Sequence, residues 1–379
     1  MAFEFFDNNA TTPLSEASRK AMVEAEATSW LNPSSPYRAG AKVRVQIDLA
    51  RETLANAIGT SPSRVIFNSG ATEGNNAVFS HWSQKLPRAS RIGVSPTEHA
   101  SVLEAAEHYF KGRIVWLPLT PNGSVDVDAI DFSELSAISV MAANNETGIL
   151  NPWRAIAAGC RDEGIPYHCD ASQWLGKLSS VDLGSCDYVT GCAHKFGGPK
   201  GMGFLVLPAE GASAIKIQFG GSQEMGARAG TENVAGIFGL VAALEASPKA
   251  GSASARDCFE TALMERLPEC EIVGAGGERL WNTSGVVLPK FENVRWIRAL
   301  EKRGFLVSTG SACISGKPSG SPVLEAMGYD GDAIRRFVRI SSSDATSPVS
   351  WGDLLNALVL SYEDLSNSSN ADSGVVISH

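Results

Sequence analysis

The run Asp187-Tyr-Val-Thr-Gly-Cys-Ala-His-Lys-Phe-Gly-Gly-Pro-Lys-Gly-Met-Gly-Phe-Leu-Val-Leu207 sets a lysine and a glycine-rich turn between two apolar stretches. Asp187–Ala193 and Gly203–Leu207 have the length and composition of buried strands. Lys195 is badly placed there for a surface charge. It is well placed to be a desolvated amine whose pKa is lowered enough for nucleophilic chemistry. Upstream, the strand-like Pro166-Tyr-His-Cys-Asp170 closes on a carboxylate.

Outward from this run, strands and helices alternate. Arg64–Phe67, Arg91–Val94, Arg113–Leu117 and Ala137–Ala143 have strand character. Ala71–Trp82, Ala100–Phe110, Trp153–Asp162 and about Thr231–Glu245 are predicted helices. Ser15 can cap a helix reaching Thr28, and Arg38–Ile58 puts Val43, Ile47, Leu54 and Ile58 near one face before Gly59 stops it. Apolar strands separated by helices predict an α/β fold with a mostly parallel sheet covered on both faces. The small, polar stretch Ser247–Ala255 suits a domain junction. Beyond it, helices near Asp257–Leu267, Val294–Lys302 and Trp351–Leu365 alternate with strands near Glu271–Val273, Gly285–Leu288, Phe305–Ser308 and Phe337–Ser341. The expected division is a large domain over 15–247 and a smaller α+β domain from 1–14 and 248–365. The polar tail 366–379 is expected to be disordered.

With 379 residues, the chain is long enough for two cores. Its net charge of −9 and lack of a basic run argue against nucleic acid as a partner. No apolar run reaches the ~18 residues of a membrane span, and the start does not resemble a signal peptide, so a cytoplasmic protein is expected. Seven cysteines without regular spacing favour reduced thiols. The scattered histidines and the absence of C-x-x-C or H-E-x-x-H leave no metal site in view.

Several motifs carry chemistry. Ser69-Gly-Ala-Thr-Glu73 lies where a strand turns into a helix, a seat for phosphate, although an ordinary capping turn has the same composition. His99, in Thr97-Glu-His99, is placed either to stack on a cofactor ring and move protons or to cap the next helix. Asn144-Asn-Glu-Thr-Gly148 closes a strand with two amides. In Asp170-Ala-Ser-Gln173 the carboxylate suits a pyridinium nitrogen, which makes a pyridoxal phosphate ring an electron sink. Cys313 sits among serines and glycines in Ser308-Thr-Gly-Ser-Ala-Cys-Ile-Ser-Gly-Lys-Pro-Ser-Gly-Ser-Pro322. The other six cysteines lie in or near apolar elements. An exposed loop thiol is a liability unless its reactivity is used.

Taken together, these motifs resemble the cysteine desulfurases, pyridoxal phosphate enzymes of fold type I, the aspartate aminotransferase-like fold, in the class V aminotransferase-like group. The resemblance is collinear over essentially the whole chain. It adds Asp7-Asn-Asn-Ala-Thr-Thr-Pro13, Asn32-Pro-Ser-Ser35, His194-Lys195 and Gly226-Ala-Arg-Ala-Gly-Thr-Glu232 to the motifs above. The loop before Val323-Leu-Glu-Ala-Met-Gly328 is similar to that of the longer-looped branch serving iron–sulfur cluster assembly.

The resemblance implies that Lys195 holds the cofactor covalently, with His99 stacked on its ring. Asp170 would meet the ring nitrogen and Gln173 the phenolic oxygen. Ala71, Thr72 and His194 would hold phosphate, with Thr231 supplied by the partner subunit of a homodimer. Asn145 and Arg339 match positions that bind the carboxylate of the substrate, L-cysteine, and guanidinium suits that partner. Cys313 would take the sulfur as a persulfide and pass it to an acceptor protein, an iron–sulfur scaffold or a sulfur carrier. Cys192 stands where the family usually has a Ser or Thr hydroxyl on the phosphate, and a thiol is the poorer donor. Tyr37 replaces a common His, and Lys317-Pro-Ser-Gly-Ser321 departs from the usual loop. Selenocysteine lyase or another class V pyridoxal phosphate enzyme is the alternative. Transamination needs no mobile thiol, and a non-catalytic scaffold would be expected to lose Lys195 or Cys313.

Overall fold

The computed structural model describes residues 3–209, 215–248, 250–310 and 320–373. Cys313 and Lys317 therefore lie outside the described residues. The chain opens with β1 (Glu4–Phe5), α1 (Glu16–Thr28) and α2 (Arg38–Ile58). Ser15 caps α1 by accepting from the Ser18 amide. Gly59 ends α2 with φ 71°, a left-handed conformation that a side chain would disfavour. There follow β2 (Val65–Asn68), α3 (Ala71–Lys85), β3 (Ile92–Val94), α4 (Ala100–Phe110), β4 (Ile114–Trp116) and β5 (Ala137–Ser139). Then come α5 (Trp153–Glu163), β6 (Tyr167–Asp170), β7 (Tyr188–Cys192), β8 (Gly203–Val206) and α6 (Val234–Ala246).

The central sheet has seven strands in the order β2-β8-β7-β6-β5-β3-β4. The pairs from β7 to β4 are all parallel, whereas β8 is antiparallel to both β7 and β2. The reason is the connection. Parallel neighbours need a crossover of about a dozen residues or more, usually a helix. Only residues 193–202 join β7 to β8, so the chain doubles back. Since β2 is antiparallel to β8, it runs with the rest, and the carboxyl ends of β2, β3, β5, β6 and β7 share one edge. Both faces are packed. Leu54, Trp153, Val189 and Leu240 belong to one core, and Phe79, Trp82, Phe110 and Leu205 to another.

The second part contains α7 (Ser254–Arg266), β9 (Glu271–Ile272), β10 (Thr283–Val287), α8 (Asn293–Lys302) and β11 (Phe305–Leu306). It closes with α9 (Pro322–Ala326), α10 (Gly331–Arg336), β12 (Phe337–Ser341) and α11 (Pro348–Ser373). Strands β12-β10-β9 form an antiparallel sheet with a core of its own, around Phe259, Trp296, Val338, Trp351 and Leu354. Phe6 is completely buried in that core, and β1 pairs with β11. The N-terminal segment is thus anchored in the second core before Asn8–Pro13 crosses to the central sheet.

The structure has two features beyond the expected elements. The helices α9 and α10 are too short to show periodicity and were not foreseen, although Ser321 and Asp330 cap them. The tail was expected to be disordered from 366, but α11 continues to Ser373. Its stem is held by buried Trp351, Leu354 and Leu358, and the Ser368 hydroxyl bonds back to the Asp364 carbonyl at 2.9 Å. Packing of the stem carries the helix into residues of weak propensity. No helix among the described residues is long and apolar enough to cross a membrane.

Truncating Phe6 to Ala is expected to cost about 3–5 kcal/mol of unfolding free energy, as for other large buried aromatics. Urea unfolding of the two proteins measures it, and a loss below ~1 kcal/mol would mean that the N-terminal anchor is not set by this ring.

Candidate functional site

A cavity of about 480 Å³ opens at the shared carboxyl edge. Ala71, Thr72, His99, Asn145, Asp170, Gln173, Cys192, His194 and Lys195 all line it. They come from the ends of β2, β3, β5, β6 and β7, so the strand directions bring together residues far apart in sequence. Two expected residues are not in its wall. Thr231 is exposed and lines a separate cavity of about 80 Å³ with Ser69, Gly201 and Arg228. Arg339 lies behind the wall, 2% exposed.

Lys195 stands in the turn between β7 and β8. Its ammonium donates to the carbonyls of Asn9 (2.7 Å) and Ala10 (2.9 Å). The turn is stitched to the same N-terminal segment: the Thr12 amide donates to the His194 carbonyl, and the Gly197 amide to the Thr12 hydroxyl. The lysine is therefore held from outside its own sheet.

One end of the cavity is built for an anion. Gly70 precedes α3 with φ 147° and offers no side-chain cap, and no acceptor among the described residues meets the amides of Ala71 and Thr72. Glu73 is turned away to the Ser69 amide and to Arg228 at 3.1 Å. At Gly203 a Cβ would lie 2.5 Å from the Gly70 Cα and 2.5 Å from the Gly191 carbonyl oxygen, so the approach of α3 to the sheet requires glycine. Burial, then the charges of Lys195 and Lys200, lower the His194 imidazole to about 4. It is neutral beside two ammonium groups and a helix N-terminus, an arrangement that favours phosphate.

Behind Asp170 and His99, which line the other wall, runs a chain of one-way hydrogen bonds. The Thr190 hydroxyl donates to Asn75 Oδ1 (2.6 Å), so it accepts from His168 Nε2 (3.3 Å), and His168 Nδ1 accepts from Ser139 (2.9 Å). Burial holds His168 down at about 4, which leaves this tautomer neutral. Asn75 Nδ2 then donates to Asp170 Oδ2 (2.9 Å) and to the Ser101 hydroxyl (2.8 Å). Asp170 Oδ1 accepts from the Ser172 amide. At the far end, His99 Nδ1 accepts from the Ser101 amide (3.1 Å), so in the neutral ring the proton resides on Nε2. Burial lowers the His99 pKa, with Asp170 opposing it. His99 is both the cap of α4 and a cavity residue, so the two readings of it are compatible. Asn75, His168 and Thr190 were not singled out from sequence. The available signal was a polar Asn on the buried face of α3.

Gln173 donates to the Asn9 carbonyl and accepts from Lys177. Burial raises the Cys192 thiol, against the pull of Lys195. Arg339 donates to Asp7 Oδ1 (2.6 Å) and to the carbonyls of Asn145 (3.0 Å) and Gly310 (3.4 Å), while its buried Nε has no partner among the described residues. The thiols that the structure describes are free, and Cys258 is exposed rather than packed.

An uncapped helix N-terminus, the Asp170 carboxylate and the Lys195 amine converge on one cavity and form a set of groups that fits pyridoxal phosphate. Fold and cavity together define an α/β protein of the pyridoxal phosphate fold type I class. The chain belongs to the aminotransferase class-V family, whose sequence profile matches residues 4–345. It is 36% identical over 354 residues to a cysteine desulfurase of Sinorhizobium fredii, covering 89% of this chain and 91% of the relative. Cysteine desulfurase 2 of Trichormus variabilis is 32% identical over 358 residues, 92% and 90% of the two chains. Among solved structures, a NifS-like protein superposes with a TM-score of 0.84 at 28% identity, over 95% of this chain and 99% of that one. A structure of SspA in complex with cysteine has a TM-score of 0.79 at 28% identity, over 91% and 100%.

Replacing Asn75 by Leu should cost about 2–4 kcal/mol, because it strips partners from Thr190, Asp170 and Ser101 at once. Asn76→Leu, whose amide is exposed and reaches only the Thr72 carbonyl, should stay within ~0.5 kcal/mol. Equal losses in urea unfolding would refute the chain's importance.

Proposed function

We propose that the protein is a cysteine desulfurase that moves sulfur from L-cysteine to Cys313 as a persulfide and releases L-alanine. The observation that carries this reading is the convergence of Lys195, Asp170 and His99 on one cavity whose anion seat is a helix N-terminus. The class V family is generally pyridoxal phosphate-dependent. When bound, the cofactor supplies an electron sink for bonds at the substrate's α-carbon.

In this reading Lys195 is the covalent anchor, and the amides of Ala71 and Thr72 hold the phosphate together with His194. Cys192 lies in the same wall. Thr231 does not line its own chain's Lys195 cavity, which supports its contribution to that of a partner subunit in a homodimer. Asp170 holds the ring nitrogen and Gln173 the ring oxygen. His99 stacks on the ring and moves protons through Nε2. Asn145 and Arg339 hold the substrate carboxylate. The net exchange balances without an oxidant: a thiol and L-cysteine become a persulfide and L-alanine. Cys313 then gives its outer sulfur to an acceptor protein. The sequence context of Cys313 favours desulfuration over transamination, which has no use for a thiol.

Purified protein supplied with L-cysteine and a thiol reductant is expected to release sulfide and alanine in equal amounts. Cys313→Ser should bring sulfide release to background while leaving the cofactor absorbance unchanged; wild-type rates in that variant would overturn the role of Cys313. Separately, Lys195→Ala should lose the Schiff-base absorbance, and a normal spectrum there would remove the covalent anchor from this lysine.

A further inference from the structure

We propose that Lys177 is a positioning residue that fixes which side of the Gln173 amide faces the cavity and ties that amide to Lys195 through the Asn9 carbonyl. Lys177 is 5% exposed. Its ammonium donates to Gln173 Oε1 at 2.8 Å and to the Gln173 carbonyl at 3.3 Å. Gln173 Nε2 donates to the Asn9 carbonyl at 2.9 Å, the same oxygen that accepts from Lys195 at 2.7 Å.

An amide side chain can flip, and here both partners are one-way. An ammonium only donates, so it must meet Oε1, and a backbone carbonyl only accepts, so it must meet Nε2. Together they leave Gln173 one N–H, with no partner among the described residues, for whatever enters the cavity. Without Lys177, the amide keeps only the Asn9 carbonyl, and its buried Oε1, left without a donor, favours leaving that contact. Lys177 itself does not line the 480 Å³ cavity, whereas Gln173 does. Lys177 and Lys195 instead share a second cavity of about 270 Å³ with Gly176 and Asn282. Lys177 therefore acts through Gln173 rather than by touching a ligand.

Burial, with Lys195 and Arg339 adding to it and Cys192 opposing it, brings the Lys177 amine down to about 7. The amine keeps an N–H for Oε1 in either charge state, and the Asn9 carbonyl, which only accepts, holds Nε2 on its own side when the amine is neutral.

The inference rests on the proposed role of Gln173 toward the ring oxygen of pyridoxal phosphate, and its test separates the two. In the ligand-free crystal structure of Lys177→Met, the Gln173 amide is expected to leave the Asn9 carbonyl; an unmoved amide would overturn the inference. In absorbance titrations of cofactor-stripped protein with pyridoxal phosphate, Lys177→Met should weaken binding about tenfold, the scale of a hydrogen bond to a charged group. In a Gln173→Leu background the same substitution should change binding less than about twofold, since the two residues act as one unit. Equal factors in both backgrounds would mean that Lys177 acts independently of Gln173. If Lys177→Met does not fold, Gln173→Glu tests the unit from its other end. It keeps an acceptor for Lys177 but loses both N–H groups, the one to the Asn9 carbonyl and the one turned to the cavity, and should weaken binding at least as much; wild-type affinity would overturn the inference. A wild-type protein that takes up no pyridoxal phosphate would end the cofactor reading, while the crystal structure of Lys177→Met would still decide the positioning role.

Discussion

The short link between β7 and β8 is the constraint from which the site follows. Residues 193–202 leave no room for a crossover helix, so β8 returns antiparallel beside β7 and the turn stands at the carboxyl edge. Lys195 occupies that turn. There its ammonium would be costly without acceptors, since burying an unpaired charge costs several kcal/mol or more. The acceptors are the carbonyls of Asn9 and Ala10, from a segment whose preceding residues are fixed in a different core. Buried Phe6 therefore matters to a lysine that it does not resemble in chemistry or in place.

The polar network around Asp170 has the same logic at smaller scale. Each member from Ser139 through His168, Thr190 and Asn75 has a determined direction of donation, and burial keeps His168 neutral so that the direction does not reverse near neutral pH. A fully satisfied buried network specifies one arrangement, because any rotation strands a donor or an acceptor in a low-dielectric interior. That rigidity sets Asp170 and His99 relative to each other, with Ser101 as the shared link.

Much of this was legible in the sequence where the signal is local. The bounds of α2 and α4 were read correctly because Gly59 and His99 mark their ends and their apolar periods are long. The cavity residues were legible as strand-end motifs, since apolar strands followed by polar turns identify the carboxyl edge. What could not be read depends on distance. Nothing near Asn75 announces Thr190, or near Gln173 announces the Asn9 carbonyl, because such hydrogen bonds join residues more than a hundred positions apart. Short elements also escaped, as α9 and α10 show. The far end of α11 escaped for a different reason, because packing of its stem outweighs local propensity.

Arg339 shows how the expectation and the structure fit together. It was matched to a carboxylate ligand, and in the folded chain it already has one in Asp7. The two partners differ in setting: the Arg339 side chain is 3% exposed and that of Asp7 22%. The guanidinium is thus fixed and dry, and Asp7 is the more exposed, solvent-side member. Removing Asp7 alone would take its ion-pair partner from a buried cation, an unfavourable state. Exchanging it for another carboxylate would keep the charge balanced. Because Asp7 precedes Asn9 and Ala10 on one segment, any movement of Asp7 is felt at Lys195. Arg339 and Lys195 are therefore linked by the chain itself, through the few residues that also hold the two cores together.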